Sequence, residues 1–205
     1  MSTALLVIDV QNDFCPGGAL AVEDGDAVVP LINQLIPRFD VCVFTQDWHP
    51  PSHSSFASSY DGKAPFEFVE LSYGEQVLWP DHCVQGSAGA EFHADLDQAG
   101  AELVIRKGYN PALDSYSAFF ENDHETPTGL TGYLRTRGVR RVLLAGLATD
   151  FCVAYSAEDA AKEGFEAIVV EDACRAINLD GSLTAAWERM QAVGVHRISF
   201  NQVLL

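Results

Sequence analysis

Six short apolar runs punctuate the chain, at about residues 4–8, 41–45, 103–106, 141–146, 166–170 and 195–199. Runs of this length, bounded by Gly, Pro, Asn or Asp, suit buried strands, and the stretches between most of them repeat with helical spacing. Helices are predicted near 25–37, 129–137, 151–163 and 180–193; the third stops at Gly164, and the last starts at Asp180-Gly-Ser and stops at Gly194. Strands alternating with helices predict the α/β class: one doubly wound, mainly six-stranded parallel sheet with helices on both faces. From Trp48 to Gln98 the pattern breaks. Pro50-Pro51, Ser54-Ser55, Ser58-Ser59 and several glycines there predict a mostly irregular insertion, and loops this long in a compact domain are usually functional. No repeat, linker or low-complexity tract interrupts the rest.

A length of 205 residues suits one domain, 1–205, able to bury a real core. With 12 Lys and Arg against 29 Asp and Glu the formal charge is −17, which argues against nucleic acid or an anionic membrane as partner, because both select basic surfaces. The chain enters its first strand directly after Met-Ser-Thr, without a basic and apolar leader, and no apolar run approaches a membrane span. A cytoplasmic protein is expected. Cysteines 15, 42, 83, 152 and 174 form an odd set without close pairs, which fits reduced thiols rather than disulfides or a structural zinc site.

Candidate chemistry lies at the strand ends. In Ala145-Gly-Leu-Ala-Thr-Asp-Phe-Cys-Val153 an apolar strand turns through small residues into a helix start, with Thr149 and Asp150 as natural N-caps. A helix N-terminus there would lower the Cys152 thiol pKa below its reference of about 8.5 and donate to an oxyanion. A lone cysteine in an apolar run is on general grounds a buried structural residue, but two further strand ends change the picture. Ala4-Leu-Leu-Val-Ile8 ends in Asp9, and Glu102-Leu-Val-Ile-Arg106 ends in Lys107-Gly108. Functional groups collect at the carboxyl ends of open parallel sheets. Asp9 would accept the thiol proton, Lys107 would hold Asp9 ionised and favour a thiolate, and Cys152 would attack a carbonyl.

Asp47 and His49 lie two apart just after the second strand, where extended backbone turns alternate side chains the same way. His82, in Trp79-Pro-Asp-His-Cys83, would complete a two-His, one-carboxylate set suited to zinc, iron or manganese. His49 and His53 have the spacing of a zinc-protease helix, but Pro50 and Pro51 forbid a helix interior and no Glu follows His49. His53 stays open as an extra ligand or a partner of one. Asp81 is a candidate acceptor behind a ligand, and Cys83 is expected in the core.

Six ordered blocks resemble the isochorismatase-like cysteine hydrolases, a Rossmann-like fold. They are Val7-Ile-Asp-Val-Gln-Asn-Asp-Phe-Cys-Pro-Gly-Gly18, Thr45-Gln-Asp-Trp-His-Pro50, His53-Ser-Ser-Phe-Ala-Ser58, Leu78-Trp-Pro-Asp-His-Cys-Val-Gln-Gly86, Arg106-Lys-Gly108 and Ala145 to Val153. The Asp-Trp-His and Trp-Pro-Asp-His-Cys blocks are similar to the nicotinamidase (pyrazinamidase-type) branch in particular. The resemblance implies a catalytic triad of Asp9, Lys107 and Cys152, and a divalent metal, zinc first, at Asp47, His49 and His82, with the insertion at about 47–98 binding metal and substrate. It implies a pocket for a small-molecule ring lined by Phe14, Trp79 and Tyr116, although Phe14 and Trp79 also suit plain core positions. An oxyanion hole is implied at the N–H groups of Ala148 and Cys152, with a cis Leu147–Ala148 peptide. The implied reaction is hydrolysis of nicotinamide to nicotinate and ammonia through a cysteine thioester, feeding NAD salvage. A homo-oligomer is compatible with the sequence.

Four other readings stand beside it. A true isochorismatase, which cleaves a vinyl ether, would by the resemblance lack the cysteine that this chain retains at Cys152. A sibling cysteine amidohydrolase acting on a carbamoyl or ureido amide would share the triad but has less use for the metal blocks. A non-catalytic metal- or ligand-binding member of the fold would have no need of the triad. A flavodoxin-like redox protein would need a Gly-rich phosphate turn after the first strand, where Gln11-Asn-Asp-Phe14 stands instead.

Overall fold

The computed structural model describes residues 2–204. Its strands are β1 (Ser2–Ile8), β2 (Val41–Asp47), β3 (Phe68–Leu71), β4 (Gly74–Val77), β5 (Leu103–Lys107), β6 (Val139–Leu147), β7 (Glu166–Arg175) and β8 (His196–Ile198). Six of them form one sheet in the order β5-β2-β1-β6-β7-β8, every neighbouring pair parallel. All six predicted strands are therefore present, and β7 continues to Arg175.

The period of two along β1 divides the core. Leu5 and Val7 face one side, where Val29, Ile32 and Leu35 of α1 (Val29–Leu35) and Phe200 of α5 (Phe200–Val203) pack. Ala4, Leu6 and Ile8 face the other. There they meet Leu130 and Leu134 of α2 (Leu130–Thr136), the Ala154, Ala157 and Ala160 stripe of α3 (Ala154–Lys162), and Ala186 and Met190 of α4 (Ser182–Ala192). Each fully buried Leu or Ile contributes roughly 1.5–3 kcal/mol, so the two apolar layers clamp β1 from both sides.

Proline sets the limits of α1. The predicted helix over 25–37 is a 3-10 turn at Gly25–Val28, the α-helix, and a second 3-10 turn at Ile36–Arg38. Pro30 stands in the first helical turn, where its missing N–H is harmless; Pro37 removes a donor the next turn needs. Gly164 and Gly194, at φ +86° and +85°, end α3 and α4 as the sequence predicts.

Two elements were not predicted. The insertion, otherwise mostly irregular, contains the antiparallel β3–β4 hairpin, and α5 follows β8 directly. Phe68-Val-Glu-Leu71 and Gly74-Glu-Gln-Val77 mix charged and apolar positions and are only partly buried, so no apolar run marks them. Among the described residues no helix is long and apolar enough to cross a membrane. All five cysteines are free and buried.

From β1 the chain builds outward through β2 to β5, then restarts at β6 on the other side of β1. The carboxyl ends at such a reversal open a crevice. Gly146 lets the two strands close up there: its φ is +130°, and a Cβ on it would lie 2.1 Å from the Ile8 carbonyl oxygen. The next peptide, Leu147–Ala148, is cis, as the resemblance implies.

Candidate active site

Asp9, Lys107 and Cys152 meet at that crevice. Thr45 of β2 fixes Asp9 twice, accepting from its N–H at 3.1 Å and donating to Oδ1 at 2.7 Å. The Lys107 ammonium lies 2.9 Å from Asp9 Oδ2 and 3.4 Å from Cys152 Sγ, donates to the Ser115 carbonyl at 2.9 Å, and forms an ion pair with Asp47. Four acceptors thus surround three ammonium protons. Asp9 Oδ2 stands at ion-pair distance without a well-aligned hydrogen bond, which leaves a lone pair open.

Burial raises the Asp9 pKa to about 6; the Lys107 charge pulls it down and Asp47 adds to the rise. Burial disfavours the Lys107 ammonium, but Asp47 and Asp9 overcome this and hold its pKa well above the ordinary value. Cys152 differs from expectation. Burial pushes its thiol well above the usual range, and Lys107 does not offset burial together with Asp9 and Asp47. The resting group is therefore a thiol, with the Asp9 carboxylate beside it as the available proton acceptor.

The local fold at Cys152 also departs from the predicted cap. Thr149–Val153 form a π-helical turn leading into α3, with no side-chain cap. Asp150 turns away and accepts from Ile177 N–H at 3.0 Å, Asn178 N–H at 2.7 Å and Ser182 Oγ at 2.5 Å. It ties the nucleophile turn to the loop after β7 instead of capping a helix.

Asp47, His49 and His82 bring one ligand atom each within 4.8 Å of one another, all buried. His49 Nε2 and His82 Nε2 lie 3.7 and 3.9 Å from Asp47 Oδ2. Their other nitrogens are spoken for: His49 Nδ1–H donates to the Gly108 carbonyl at 2.9 Å and His82 Nδ1–H to that of Pro80 at 2.8 Å. Backbone acceptors thus select the tautomer in which both Nε2 lone pairs converge beside the carboxylate, the arrangement a divalent ion requires. Gly108 permits the approach, since a Cβ there would lie 2.4 Å from the His49 ring. Burial works against the Asp47 charge, yet Lys107 and His49 keep its pKa lowered. Burial drives His82 down to about 4, while Asp47 outweighs burial at His49 and raises it. A deprotonated carboxylate and a neutral His82 fit the metal.

His53 packs 4.4 Å from the His49 ring, but both its nitrogens are engaged, Nδ1 with Ser55 Oγ at 2.7 Å and Nε2 donating to the Asn110 carbonyl at 2.8 Å. It buttresses His49, and its ring also brings a nitrogen within 4.8 Å of donor atoms of His49 and Asp114, a second candidate ligand group. Asp81 is exposed and accepts from Ser58 Oγ at 2.5 Å, so it backs no histidine. Cys83 is fully buried in the core.

One cavity, about 340 Å³ including its open mouth, joins these groups. Its walls include Phe14, Trp79 and Tyr116 beside Cys152, Ala148 and the ligand trio. Phe14 and Trp79 belong to the core as well, so both sequence readings of them hold. Trp79 Nε1 donates to Tyr116 Oη at 3.1 Å, which orients two walls together. Sequence reasoning missed four other wall residues: Leu20, Asp114, Phe151 and Ile177. Asp114 Oδ2 accepts from Gln76 Nε2 at 2.9 Å, and Phe151 meets Trp79 edge-on with ring centroids 4.9 Å apart. Only Phe151 carried a signal, its place next to Cys152; the others arrive on loops.

Residues 3–202 match the isochorismatase domain family. The chain is 55% identical to a nicotinamidase of Acinetobacter baylyi over 98% of its own length and 94% of the relative's. It superposes on a nicotinamidase and pyrazinamidase of Acinetobacter baumanii with a TM-score of 0.97 at 57% identity, covering 98% of both chains. It also superposes on a pyrazinamidase of Pyrococcus horikoshii in complex with zinc, with a TM-score of 0.77 at 36% identity, covering 97% of this chain and 99% of that one.

Proposed function

The chain belongs to the isochorismatase family, and from that premise we propose that it is a nicotinamidase, an amidohydrolase releasing nicotinate and ammonia from nicotinamide. One observation carries the reading: Cys152, with Lys107 and Asp9 behind it, opens into an aromatic-walled cavity whose other side holds the Asp47, His49 and His82 donors. A flat heteroaromatic ring suits such walls, with its carboxamide toward sulfur.

As Cys152 Sγ bonds to the carboxamide carbon, its proton passes to Asp9, whose pKa near 6 leaves it ionised at neutral pH. The N–H groups of Ala148 and Cys152 hold the oxyanion, each donor typically worth roughly 3–4 kcal/mol. Asp9 then protonates the leaving nitrogen, the C–N bond breaks, and ammonia departs from a thioester. Water, giving a proton to Asp9, attacks the thioester carbon; the C–S bond breaks, sulfur recovers the proton, and nicotinate leaves. Throughout, Lys107 holds the negative charge shared between Asp9 and sulfur. A divalent ion held by Asp47, His49 and His82 would supply a Lewis-acid anchor that orients the pyridine nitrogen. Zinc is the first choice, in keeping with the zinc-bound relative; iron and manganese also suit the donors. Nicotinate so formed is a substrate for NAD salvage.

The test is ammonia release from nicotinamide by purified protein, with and without chelator, beside Cys152→Ala. Chelator-sensitive release lost in the variant supports the reading. No release by metal-loaded protein would overturn it in favour of a carbamoyl or ureido amide.

A further inference from the structure

The mechanism leaves one part of the opening motif without a task. Asp13 lies four residues after Asp9, yet its carboxylate points away from the reacting groups. Oδ2 accepts from the Cys83 N–H at 2.7 Å and Oδ1 from the Ala19 N–H at 3.1 Å. Space is cleared for it: a Cβ on Gly89 would lie 2.1 Å from Asp13 Oδ2, and one on Gly18 would lie 2.4 Å from Asp13 Cα.

The peptide groups of Cys83 connect the two histidine ligands. Cys83 follows His82 directly and adopts φ +45°, a left-handed conformation that costs a non-glycine residue and needs support from its surroundings. Its N–H is held by Asp13, and its carbonyl accepts from the His49 N–H at 3.0 Å. The Gln85 N–H returns to the His49 carbonyl at 2.8 Å. The backbone of one ligand is thus laid against that of the other through a single residue, and Asp13 pins that residue. Gln11 does the same for the third ligand: its amide accepts from the Asp47 N–H at 2.8 Å and donates to the Asp47 carbonyl at 2.9 Å.

We infer that Asp13 is a positioning residue for the metal site, gripping the Cys83 amide so that the separation of the His82 and His49 Nε2 atoms is set before an ion arrives. The inference rests on the reading of Asp47, His49 and His82 as ligands. Removing a partner that orients ligands typically costs 10–100-fold in metal affinity. A purely structural Asp13 would instead lower the stability of the metal-free protein and leave affinity alone.

The experiment titrates metal-free protein with Co²⁺, following the d–d absorption bands, and records the Tm of the same metal-free samples. Asp13→Ala should raise the Co²⁺ Kd at least tenfold, whereas Asp13→Asn, whose side-chain carbonyl can still accept from Cys83, should lie between Asp13→Ala and the wild type. If Asp13→Ala does not fold, Gly89→Ala, which drives the carboxylate off Cys83 while keeping its charge, should show the same weakening. A Kd less than tenfold above wild type in Asp13→Ala, or in Gly89→Ala where Asp13→Ala does not fold, overturns the inference, as does equal weakening in Asp13→Ala and Asp13→Asn with an equal loss of metal-free Tm. Failure of the wild type to bind Co²⁺ at all would overturn the ligand reading itself, and this inference with it.

Discussion

Asp9 and Lys107 stand at or just beyond the ends of β1 and β5, and Cys152 follows the end of β6 by one turn. His82 and Trp79 reach the same cavity from the irregular insertion. The first group is placed by ladder register: Asp47 pairs with Lys107, Ile8 with Gly146, and the apolar layers fix the strands from both sides. The second group has only isolated bridges, Phe56 with Trp79 and His49 with Val84. It also depends on side chains, Asp13 on the Cys83 N–H, Gln11 on the Ala90 carbonyl, and the cluster of Gln76, Asp114, Tyr116 and Trp79. Strand-borne groups are therefore expected to tolerate the loss of a neighbour better than insertion-borne groups.

The sharpest way to break this contrast is Cys152→Ala. Turnover should fall by at least about 10⁴-fold, while metal content by elemental analysis stays at the wild-type level, because the Gly108 and Pro80 carbonyls that orient His49 and His82 are untouched. Measurable nicotinamide hydrolysis would end the nucleophile assignment. His82→Ala should lower metal affinity by about 100-fold or more and raise KM with it, while the far-ultraviolet circular dichroism of the sheet stays unchanged. An unaltered metal content would remove His82 from the ligand set.

The pH profile of protein kept saturated with metal tests the triad wall, since the histidine donors also lose metal as they protonate. Asp9 must be ionised to accept a proton, and its pKa is raised from 3.8 to about 6. Activity is therefore present above pH 6, and kcat/KM should lose about tenfold per unit as pH falls below it. An acid limb near pH 4 would mean that burial does not govern this carboxyl. A smaller effect is expected from Asp150→Asn, which turns one acceptor of the Ile177–Ser182 loop into a donor facing N–H or O–H groups. Steady-state kinetics should show KM rising by about three- to tenfold with kcat little changed, since Ile177 lines the cavity and Cys152 keeps its turn. The smallest change is Trp79→Phe, which removes the indole N–H donated to Tyr116. A stability loss of about 1 kcal/mol in urea unfolding is expected; none would show that the Gln76 amide, which also donates to Tyr116 Oη at 2.9 Å, suffices for the hydroxyl.

The meeting of Asp9, Lys107 and Cys152 was legible because three apolar runs end in Asp9, Lys107 and, after a short turn, Cys152, and a parallel sheet gathers its carboxyl ends. Asp150 was misread because a helix cap and a loop anchor look alike in sequence. Both are aspartates that accept backbone N–H groups, and the true donors lie 27 and 28 positions away. The direction of the Cys152 pKa departs from the sequence reading for a similar reason: a local turn suggests an activating dipole, but burial, and after it the Asp9 and Asp47 carboxylates, raise the thiol, and both are set by tertiary packing. Asp114 and the β3–β4 hairpin left no trace, because their partners are set by tertiary contacts and neither carries an apolar period.

The carboxyl end of β5 has a consequence for how such a domain can evolve. Lys107 sends its side chain to the nucleophile, while the carbonyl of the next residue, Gly108, orients His49. One-residue insertions or deletions here strike proton handling and ring anchoring together. Length changes at the Lys-Gly pair are therefore expected to be tolerated far less than side-chain changes at Ile177, which lines the cavity from a loop.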